Sequence, residues 1–498
     1  MSRFNVVSKP EMVTNLAGGQ AYSKSPELEL ASILLTHFGQ DQYYRKADAT
    51  FEQLKALIGR CDKKFVAQAI IYARDKFGMR TISHVGAAEL AKHIGGNEWG
   101  CKFYDKVIVR PDDITEIISY YRAHCAETST KAKKGKKAIT NAMKAGFGTA
   151  LGRFNGYKLA KYRGEGKGLK LVDIVNMVHP HPVDANKEAL EALIKGELKS
   201  TGTWEAKLTA AGQEAETEED KGTMKKEVWI ALVRGKTLGY LALLRNLRNI
   251  MQQAPEVLDE ALASLTNEGF IMSQRIFPFQ YLTAYKQFLG MNTKEARIIG
   301  SALAKAVDIS AQNLKTLKLS GNTLVAIDNS SSMNAPVSNS PHMHRSELGA
   351  LFGLLFAKAL NGDVMEFGST ARYMVWDPTA NSMGLAANFY EQNRVGHGTN
   401  FHAIFEQADK KYDRILVFSD EQGWLGHRVP TTAQAAYKKK FEANPVIYSF
   451  DLAGYGTMQF PEEKTFCLAG FSDKIFHLME KLEVDRNALI NEIKKIEL

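Results

Sequence analysis

Residues 324–333 read LVAIDNSSSM, and the fold of the last third of the chain can be worked out from this stretch. Its short apolar run ends in Asp328, and Ser330 and Ser332 follow at two-residue intervals. We expect a buried strand with the aspartate at its carboxyl end, followed by a tight loop that carries the two serines. Carboxylate and hydroxyl oxygens are ligands that Mg²⁺ accepts in proteins. The stretch therefore predicts a divalent-cation site, although a polar turn without a ligand fits these residues equally well.

Strands and helices alternate from residue 321 to the end of the chain. The predicted strands are LVAID, DVMEFGS, RYMVW, RILVFSD, PVIYSFDL and TFCLAG, separated by helical patterns such as SELGALFGLLFAKAL and TTAQAAYKKKFEA. This order is typical of a mostly parallel, doubly wound α/β sheet. Such sheets bind ligands beyond the carboxyl ends of their strands.

Two further oxygen donors are predicted at the same edge of the sheet. Asp420 ends the strand RILVFSD, and Thr399 lies in a glycine-rich loop of GHGTNFHAIF, just before a helix. The candidate metal ligands are Asp328, Ser330, Ser332, Thr399 and Asp420. Two carboxylates leave the coordination of Mg²⁺ incomplete, so we expect water or an external carboxylate to complete it.

The chain before residue 321 has helical periodicity almost throughout. Apolar residues recur at helical spacing in SPELELASILLTHF, KKFVAQAIIYARDKFG, PDDITEIISYYRAH, KEALEALIKG and NTKEARIIGSALAKAVDIS, with short breaks between them. We expect an all-α region of stacked helical pairs. The acid-rich stretch from Thr203 is predicted to be a helix followed by a mobile loop. The predicted domains are residues 15–320 and 321–498.

The two predicted domains differ in charge. The chain has 498 residues and a net charge of +9, with 47 Lys and Arg against 34 Asp and Glu before residue 321, and 17 against 21 afterwards. A basic domain of this size favours a polyanionic partner, and a solvated lysine-rich surface is the alternative. The four cysteines show no pairing pattern, and the sequence shows no signal peptide or membrane span, so we expect a cytoplasmic protein.

Basic residues concentrate in three stretches of the helical region. Lysines crowd KAKKGKKAITNAMKAG, basic residues alternate with tyrosines in GYKLAKYRGEGKGLKLVDIVNMVHPHP, and two arginines lie three residues apart in LALLRNLRNI. Basic side chains beside aromatic rings are typical of RNA surfaces. The candidate RNA-binding residues are Lys136, Lys137, Lys161, Arg163, Lys167, Lys170, His179, Arg245 and Arg248. Solvated charge and arginines that reach out from a packed core are the alternatives.

The motif D-x-S-x-S, followed by a loop threonine and a strand-end aspartate, resembles the metal-ion-dependent adhesion site of von Willebrand factor A domains. The resemblance implies that the serines and threonine bind a divalent metal, with Mg²⁺ expected, and that an acidic group of a ligand completes the octahedron. His342, His344 and His402 lie near this site in the sequence, and we expect them to be surface residues.

The whole chain resembles the Ro autoantigen, or TROVE-domain, family through VWIALVRGKTLGYLALLRNLRNI, QRIFPFQYLTAYKQF, KLVDIVNMVHPHP and VFSDEQGW. The resemblance implies a HEAT-like helical-repeat ring joined to an A domain, in a monomer. It also implies binding of small Y RNA on the outer basic face and of single-stranded 3′ ends of misfolded RNA in a positive channel. An exoribonuclease or another protein would dock through the metal site.

His179 matches the histidine that the family has at the Y RNA surface. The family's basic residues seven and three positions earlier fall on Val172 and Asn176 here, so Lys170 or Lys167 would have to make the phosphate contact. Two other functions remain open on the residues alone. One is a Mg²⁺-dependent phosphotransferase or nuclease built on Asp328, and the other is a metal-dependent protein adaptor. The enzyme is disfavoured because Ser330 stands where a second carboxylate would be expected and the chain has no phosphate-binding Gly-Lys loop.

Overall fold

The computed structural model describes residues 11–125, 138–164, 168–184, 186–199, 202–274, 276–311, 319–337, 343–426, 430–461, 465–470, 479, 482, 485 and 487–498. Helices dominate these residues up to residue 311. Their bounds are α1 Pro26–Thr36, α2 Ala47–Arg60, α3 Lys63–Lys76, α4 Thr81–Leu90, α5 Gly100–Lys106, α6 Pro111–Tyr120, α7 Asn141–Gly152, α8 Gly156–Lys161, α9 Leu171–Val178, α10 Lys187–Lys195, α11 Trp204–Glu214, α12 Glu218–Arg234, α13 Tyr240–Gln253, α14 Leu258–Leu265, α15 Glu268–Ser273, α16 Pro278–Lys286 and α17 Lys294–Ser310. The predicted all-α character of this region is confirmed.

The helices begin where the sequence supplies capping side chains. The Ser25 hydroxyl accepts a hydrogen bond from the Leu28 N–H (3.2 Å), and Pro26 occupies the first helical position of α1. The Thr217 hydroxyl accepts one from the Asp220 N–H (3.1 Å) at the start of α12. The predicted mobile loop after α11 is therefore wrong, because this cap starts a 17-residue helix across most of the acid-rich stretch. Acidic side chains in its first turn are favoured by the helix dipole.

A six-stranded sheet follows from residue 323. Its strands are β3 Thr323–Asp328, β4 Asp363–Phe367, β5 Ala371–Tyr373, β6 Arg414–Ser419, β7 Val446–Asp451 and β9 Thr465–Ala469, in the order β5-β4-β3-β6-β7-β9. All neighbouring pairs are parallel except β4 and β5. The helices of this region are α18 Arg345–Leu360, α19 Ser382–Ala387, α20 His402–Gln407, α21 Thr431–Phe441 and α22 Ala488–Lys494. The predicted doubly wound α/β fold is confirmed.

Close packing of α18 on β3 fixes the edge of the sheet at which the candidate metal ligands lie. A Cβ atom added to Gly353 would lie 2.7 Å from Ile327 Cδ1, so only glycine permits this approach. Phe356 of α18 packs against Phe418 and Phe450, whose rings are stacked with centroids 4.3 Å apart. Strands β3, β6 and β7 thus share one apolar layer, and their carboxyl ends are held side by side.

A small second sheet was not predicted from the sequence. Strands β1 Met12–Thr14 and β2 Gln20–Ser23 form a hairpin, and β2 pairs with β8 Thr457–Met458 in antiparallel register. The N-terminal residues therefore pair with a strand of the α/β region.

The chain forms two compact units. The described residues of Met1–Thr50 and Leu262–Glu492 form the first, which we call the sheet unit. Those of Phe51–Ala261 and Ile493–Leu498 form the second, the helical unit. The boundary between the predicted domains 15–320 and 321–498 stays a prediction. In the described parts of the chain, no helix is both long and apolar enough to cross a membrane.

A buried carboxylate organises the N-terminal part of the helical unit. Asp113 is fully buried in α6 and bonds to Arg74 (2.7 Å) and Arg80 (3.0 Å). It also accepts hydrogen bonds from the backbone N–H groups of Val109 and Arg110, at 3.0 and 2.9 Å. Burial raises the cost of this charge, and these partners compensate for it.

Candidate metal centre and candidate nucleic-acid surface

Asp328 lies at the carboxyl end of β3, and its carboxylate is held by the neighbouring strand end. One oxygen accepts a hydrogen bond from the Ser330 N–H (2.9 Å), and the other accepts one from the Ser419 hydroxyl at the end of β6 (2.6 Å). Both carboxylate oxygens therefore have protein donors already. The orientation of Asp328 is fixed by the backbone turn that follows it and by the adjacent strand.

The two serines of the motif follow immediately. Their hydroxyl oxygens are 3.3 Å apart, and Ser332 lies in a single 3₁₀ turn, Ser331–Asn334. This separation places the two hydroxyls side by side in the loop that follows Asp328. Ser330 is completely buried and Ser332 is 1% exposed.

Thr399 and Asp420 are supplied by two other loops, which backbone hydrogen bonds join to the first. The Ser331 N–H donates to the His397 carbonyl (3.0 Å), and the Trp424 N–H donates to the Thr399 carbonyl (3.1 Å). Asp420 follows β6 directly and is completely buried, and Thr399 is 1% exposed. The structure thus brings the loops of all five predicted metal ligands together at one edge of the sheet.

The two aspartates are electrostatically unfavourable neighbours. Burial raises the pKa of Asp328, and the nearby Asp420 carboxylate raises it further. Burial likewise raises the pKa of Asp420, while the nearby Ser332 hydroxyl and the charge of Arg345 oppose the rise. Two neighbouring buried carboxylates favour the binding of positive charge between them.

One oxygen of this cluster has no protein donor. Asp420 Oδ1 accepts a hydrogen bond from the Gln422 N–H (3.2 Å), whereas the buried Oδ2 has no hydrogen-bond partner among the described residues. A buried acceptor without a donor is costly unless a cation or water meets it. The orphaned oxygen, the oxygen-only donors and the paired negative charges fit a hard divalent cation such as Mg²⁺.

Arg345 and Tyr44 also belong to this neighbourhood, and no motif pointed to them. Arg345 begins α18, is 1% exposed, and has one guanidinium nitrogen, Nη1, without a hydrogen-bond partner in the described structure. Burial raises the pKa of Tyr44 to about 12, and the nearby Asp420 charge adds to the rise. No local sequence signal marks either residue, because the burial of Arg345 and the position of Tyr44 arise only in the folded chain.

The nearby histidines do not form a metal cluster with one another. His344 Nδ1 lies 3.3 Å from Glu347 Oε2, the His402 backbone N–H donates to Asn400 (3.1 Å), and His342 lies outside the described residues. Within the residues that the structure covers, no group of three or more His, Cys, Asp and Glu side chains could hold a metal ion. The described candidate ligands are therefore three hydroxyls and two carboxylates.

Two of the candidate RNA-binding residues lie at opposite ends of α9. Lys170 precedes the helix, and His179 follows it in the left-handed region (φ 47°), where its N–H donates to the Val175 carbonyl (2.9 Å). Both side chains are exposed. At 1.5 Å per residue they are about 13 Å apart along the axis, so they would contact different phosphates of a bound strand.

Lys161 and Arg163 are engaged with the protein itself. Lys161 Nζ bonds to Glu205 (3.1 Å), and the Arg163 guanidinium donates to the Leu198 carbonyl. These contacts hold α8 and the following turn against the region around α11. Both residues stay predicted RNA contacts, but each would have to exchange or share a protein partner.

Arg245 and Arg248 are exposed on α13, whose opposite face is core. Leu244 and Leu247 of that helix are at most 2% exposed. The two arginines therefore extend from a packed helix and point into solvent one turn apart. The remaining candidates, Lys136, Lys137 and Lys167, lie outside the described residues.

Residues 195–319 match the family model of the TROVE domain. The chain is thus similar to the TROVE-domain family over about a quarter of its length. The matched region contains α11 to α17 and carries both Arg245 and Arg248. The predicted resemblance to the Ro autoantigen, or TROVE-domain, family is confirmed.

The fold of this chain is also similar to that of a solved structure. The crystal structure of the Ro (RSR) protein of Deinococcus radiodurans matches it with a TM-score of 0.57 and 17% sequence identity. The match covers 94% of this chain and 99% of that chain. At this identity the likeness establishes the fold, which extends over nearly the whole of both proteins.

Proposed function

We propose that this protein is an RNA-binding scaffold that acts in RNA quality control or in the stability of small RNAs, in the cytoplasm. The TROVE-domain family is one of RNA-binding proteins, and the match to its model carries the proposal. The excess of basic residues before residue 321 supports it, because phosphate contacts supply most sequence-independent affinity for nucleic acid. The protein would act as a monomer that holds RNA rather than as an enzyme.

The RNA would be a small structured one, similar to Y RNA, bound around α9 and His179. The left-handed backbone fixes the imidazole at the helix end, where the end of the helix dipole favours a cationic group. Asn176 is exposed one turn before His179 and Val172 is partly buried, so this surface lacks two cations that the family has there. We expect weaker or less specific binding to Y-like RNA as a consequence.

Single-stranded 3′ ends of misfolded or structured RNA would enter the positive channel that the family resemblance implies. Arg245 and Arg248 are the described candidates for contacts to such a strand, because they are exposed on one helix face. Guanidinium groups bind phosphate and stack on bases, so they tolerate many sequences. This mode would select RNAs by their free end rather than by their sequence.

The candidate metal site would hold Mg²⁺ and recruit a protein, an exoribonuclease or another partner, through an acidic side chain. Ser330, Ser332 and Thr399 would bind the ion directly, and Asp328 and Asp420 would balance its charge. The bound ion would supply an electrophilic position for a carboxylate.

RNA binding can be tested with a structured RNA that has a single-stranded 3′ tail, titrated over a series of salt concentrations. The double variant Arg245→Ala, Arg248→Ala should weaken binding and lower the slope of log K against log [salt] by about 1.4 if both arginines contact single-stranded phosphates. Arg234→Ala is the control, because Arg234 is an exposed arginine of α12 that is already paired with Glu260 (3.3 Å). This variant removes one arginine charge, half of what the double variant removes. Affinity no better than micromolar and insensitive to salt would refute the proposed function.

A further inference from the structure

A cleft of about 350 Å³ opens between helices α11, α12 and α13, all within the helical unit. This volume lies within the range of small-molecule sites in proteins. Leu208 and Trp229 form apolar parts of its wall, and the side chains of Lys225, Asn249 and Gln253 supply polar groups. No carboxylate lines the cleft among the described residues. The cleft therefore offers a ligand an apolar surface, two amides and one positive charge.

The orientation of the Gln253 amide is fixed by the indole of Trp229. Trp229 is 1% exposed, and its Nε1–H donates to Gln253 Oε1 (3.0 Å). An indole N–H acts only as a donor, so the amide atom that it meets must be the oxygen. The nitrogen of the exposed Gln253 amide is thus left as a donor, and it bonds to no residue in the described structure.

Asn249, one helical turn before Gln253, is oriented by a chain of two amides. Asn246 Nδ2 donates to the Ala242 carbonyl (2.8 Å), and Asn249 Nδ2 donates to Asn246 Oδ1 (2.9 Å). Because a backbone carbonyl acts only as an acceptor, the first bond fixes the Asn246 amide and the second fixes that of Asn249. Asn249 therefore presents its oxygen, an acceptor, one turn from the free donor of Gln253.

Lys225 supplies the positive charge of the cleft. It lies one turn before Trp229 on α12 and forms no ion pair with the residues that the structure describes. A Cβ atom added to Gly212 of α11 would lie 3.3 Å from Lys225 Cε and 3.8 Å from its Nζ. The absence of a side chain at position 212 thus leaves room for the end of Lys225 beside α11.

We propose that this cleft binds one unpaired nucleobase of an RNA strand. The apolar wall contacts the ring, the Gln253 nitrogen and the Asn249 oxygen bond to its polar edge, and Lys225 pairs with the adjacent phosphate. The inference rests on the proposed RNA-binding function and adds to it a site that contacts a base.

The chemistry of the cleft and its position both favour RNA as the ligand. Each nucleobase has a donor next to an acceptor on its pairing edge, and this edge is accessible only when the base is unpaired. Arg245 is exposed one turn before Asn249 on α13, so the two side chains are neighbours on the helix surface. A strand with one base in the cleft would therefore bring a neighbouring phosphate to Arg245.

The test uses the full chain and two RNAs with the same structured body and single-stranded 3′ tails of equal length. One tail carries bases and the other is abasic, so the two have the same phosphates. Asn249→Ala removes the acceptor, and Gly212→Leu fills the cleft without removing a polar group. Each should reduce the preference for the tail with bases by about fivefold, because a contact to the base is lost.

Two variants outside the cleft are the matched controls. Gln252→Ala removes an exposed amide next to Gln253 that does not line the cleft. Gly222→Leu adds the same side chain to α12 at a position where a Cβ would meet no atom within 4 Å. Both should keep the wild-type preference, and unchanged affinity for the abasic tail shows that each cleft variant is folded.

The outcomes separate the base site from the proposed function. A smaller preference for bases in both cleft variants, with unchanged affinity for the abasic tail, supports the inference. Salt-dependent RNA binding with the same preference in the wild type and both cleft variants would overturn the base site and leave the proposed function standing. Wild-type affinity no better than micromolar and insensitive to salt would overturn the proposed function and the base site together.

Discussion

Replacement of Lys24 by methionine should strongly destabilise the sheet unit. Lys24 and Asp451 form an ion pair in which both side chains are completely buried, and Lys24 also donates to Ser32 (3.3 Å). Burial disfavours the lysine charge, but the Asp451 carboxylate outweighs this and the pKa of Lys24 lies above its usual value. The pair is therefore fully formed at neutral pH, and its contribution is lost only as the pH rises above the pKa of lysine in the unfolded chain.

The expected magnitude follows from what the substitution leaves behind. Asp451 would keep its hydrogen bonds from the Ala453 and Gly454 N–H groups, at 2.9 and 2.7 Å, but would lose its counter-charge. Removal of one partner from a buried pair costs about 3–5 kcal/mol. Methionine fills much of the lysine volume, so the cost of a cavity adds little. We expect the free energy of unfolding to fall by about 3 kcal/mol.

Urea unfolding of the full chain, followed by circular dichroism and by hydrogen exchange at the amides of β2 and β7, measures this loss. Lys46→Met is the control, because the Lys46–Asp41 pair (2.8 Å) lies in the same segment with its side chains 79% and 56% exposed. It should leave the urea midpoint unchanged. The double variant Lys24→Met, Asp451→Asn removes both charges and should be more stable than the sum of the single losses predicts. A shift for Lys24→Met no larger than that of the control would refute the reasoning, and so would simple additivity in the double variant.

Three further predictions concern other parts of the chain. Burial opposes ionisation of Asp113, but His84 and Arg74 beside it hold its pKa below the usual range. Asp113→Asn should therefore be less stable than the wild type near neutral pH. The urea midpoints of the two proteins should converge as the pH falls below about 4, where the wild type loses this contribution. Asn176→Lys adds a cation on the exposed face of α9 and should strengthen Y-like RNA binding and steepen its salt dependence, which a filter-binding titration measures; an unchanged slope would place the RNA elsewhere. A Cβ at Gly19 would lie 2.0 Å from the Gly423 carbonyl oxygen, so Gly19→Ala should lower the melting temperature by several degrees. Gly59→Ala in α2 is the control: its Cβ would meet no atom within 4 Å, so the melting temperature should stay the same or rise.

Local sequence patterns were sufficient wherever an element is defined by its own residues. The runs LVAID and RILVFSD predicted β3 and β6, and Ser25 with Pro26 predicted the start of α1. The first turns of α12 were predicted wrongly as a mobile loop, because they have no apolar face to show periodicity. The signal was the Thr217 cap followed by three acidic residues, which the helix dipole favours.

The N-terminal hairpin shows where local reasoning ends. β1 has three residues and β2 has four, and Tyr22 pairs with Met458, more than four hundred positions away. Strands this short have no periodicity of their own, and their stability comes from the pairing partner.

Some residues of the candidate sites could be predicted from local sequence, and others could not. Asp328, Ser330 and Asp420 could be predicted because the carboxyl ends of neighbouring parallel strands meet at one edge, whatever the rest of the chain does. For RNA, counting charges identified Arg245 but could not distinguish it from Lys161, which is paired with Glu205. Exposure and pairing are tertiary properties, so the sequence predicts the basic character of the surface better than its individual contacts.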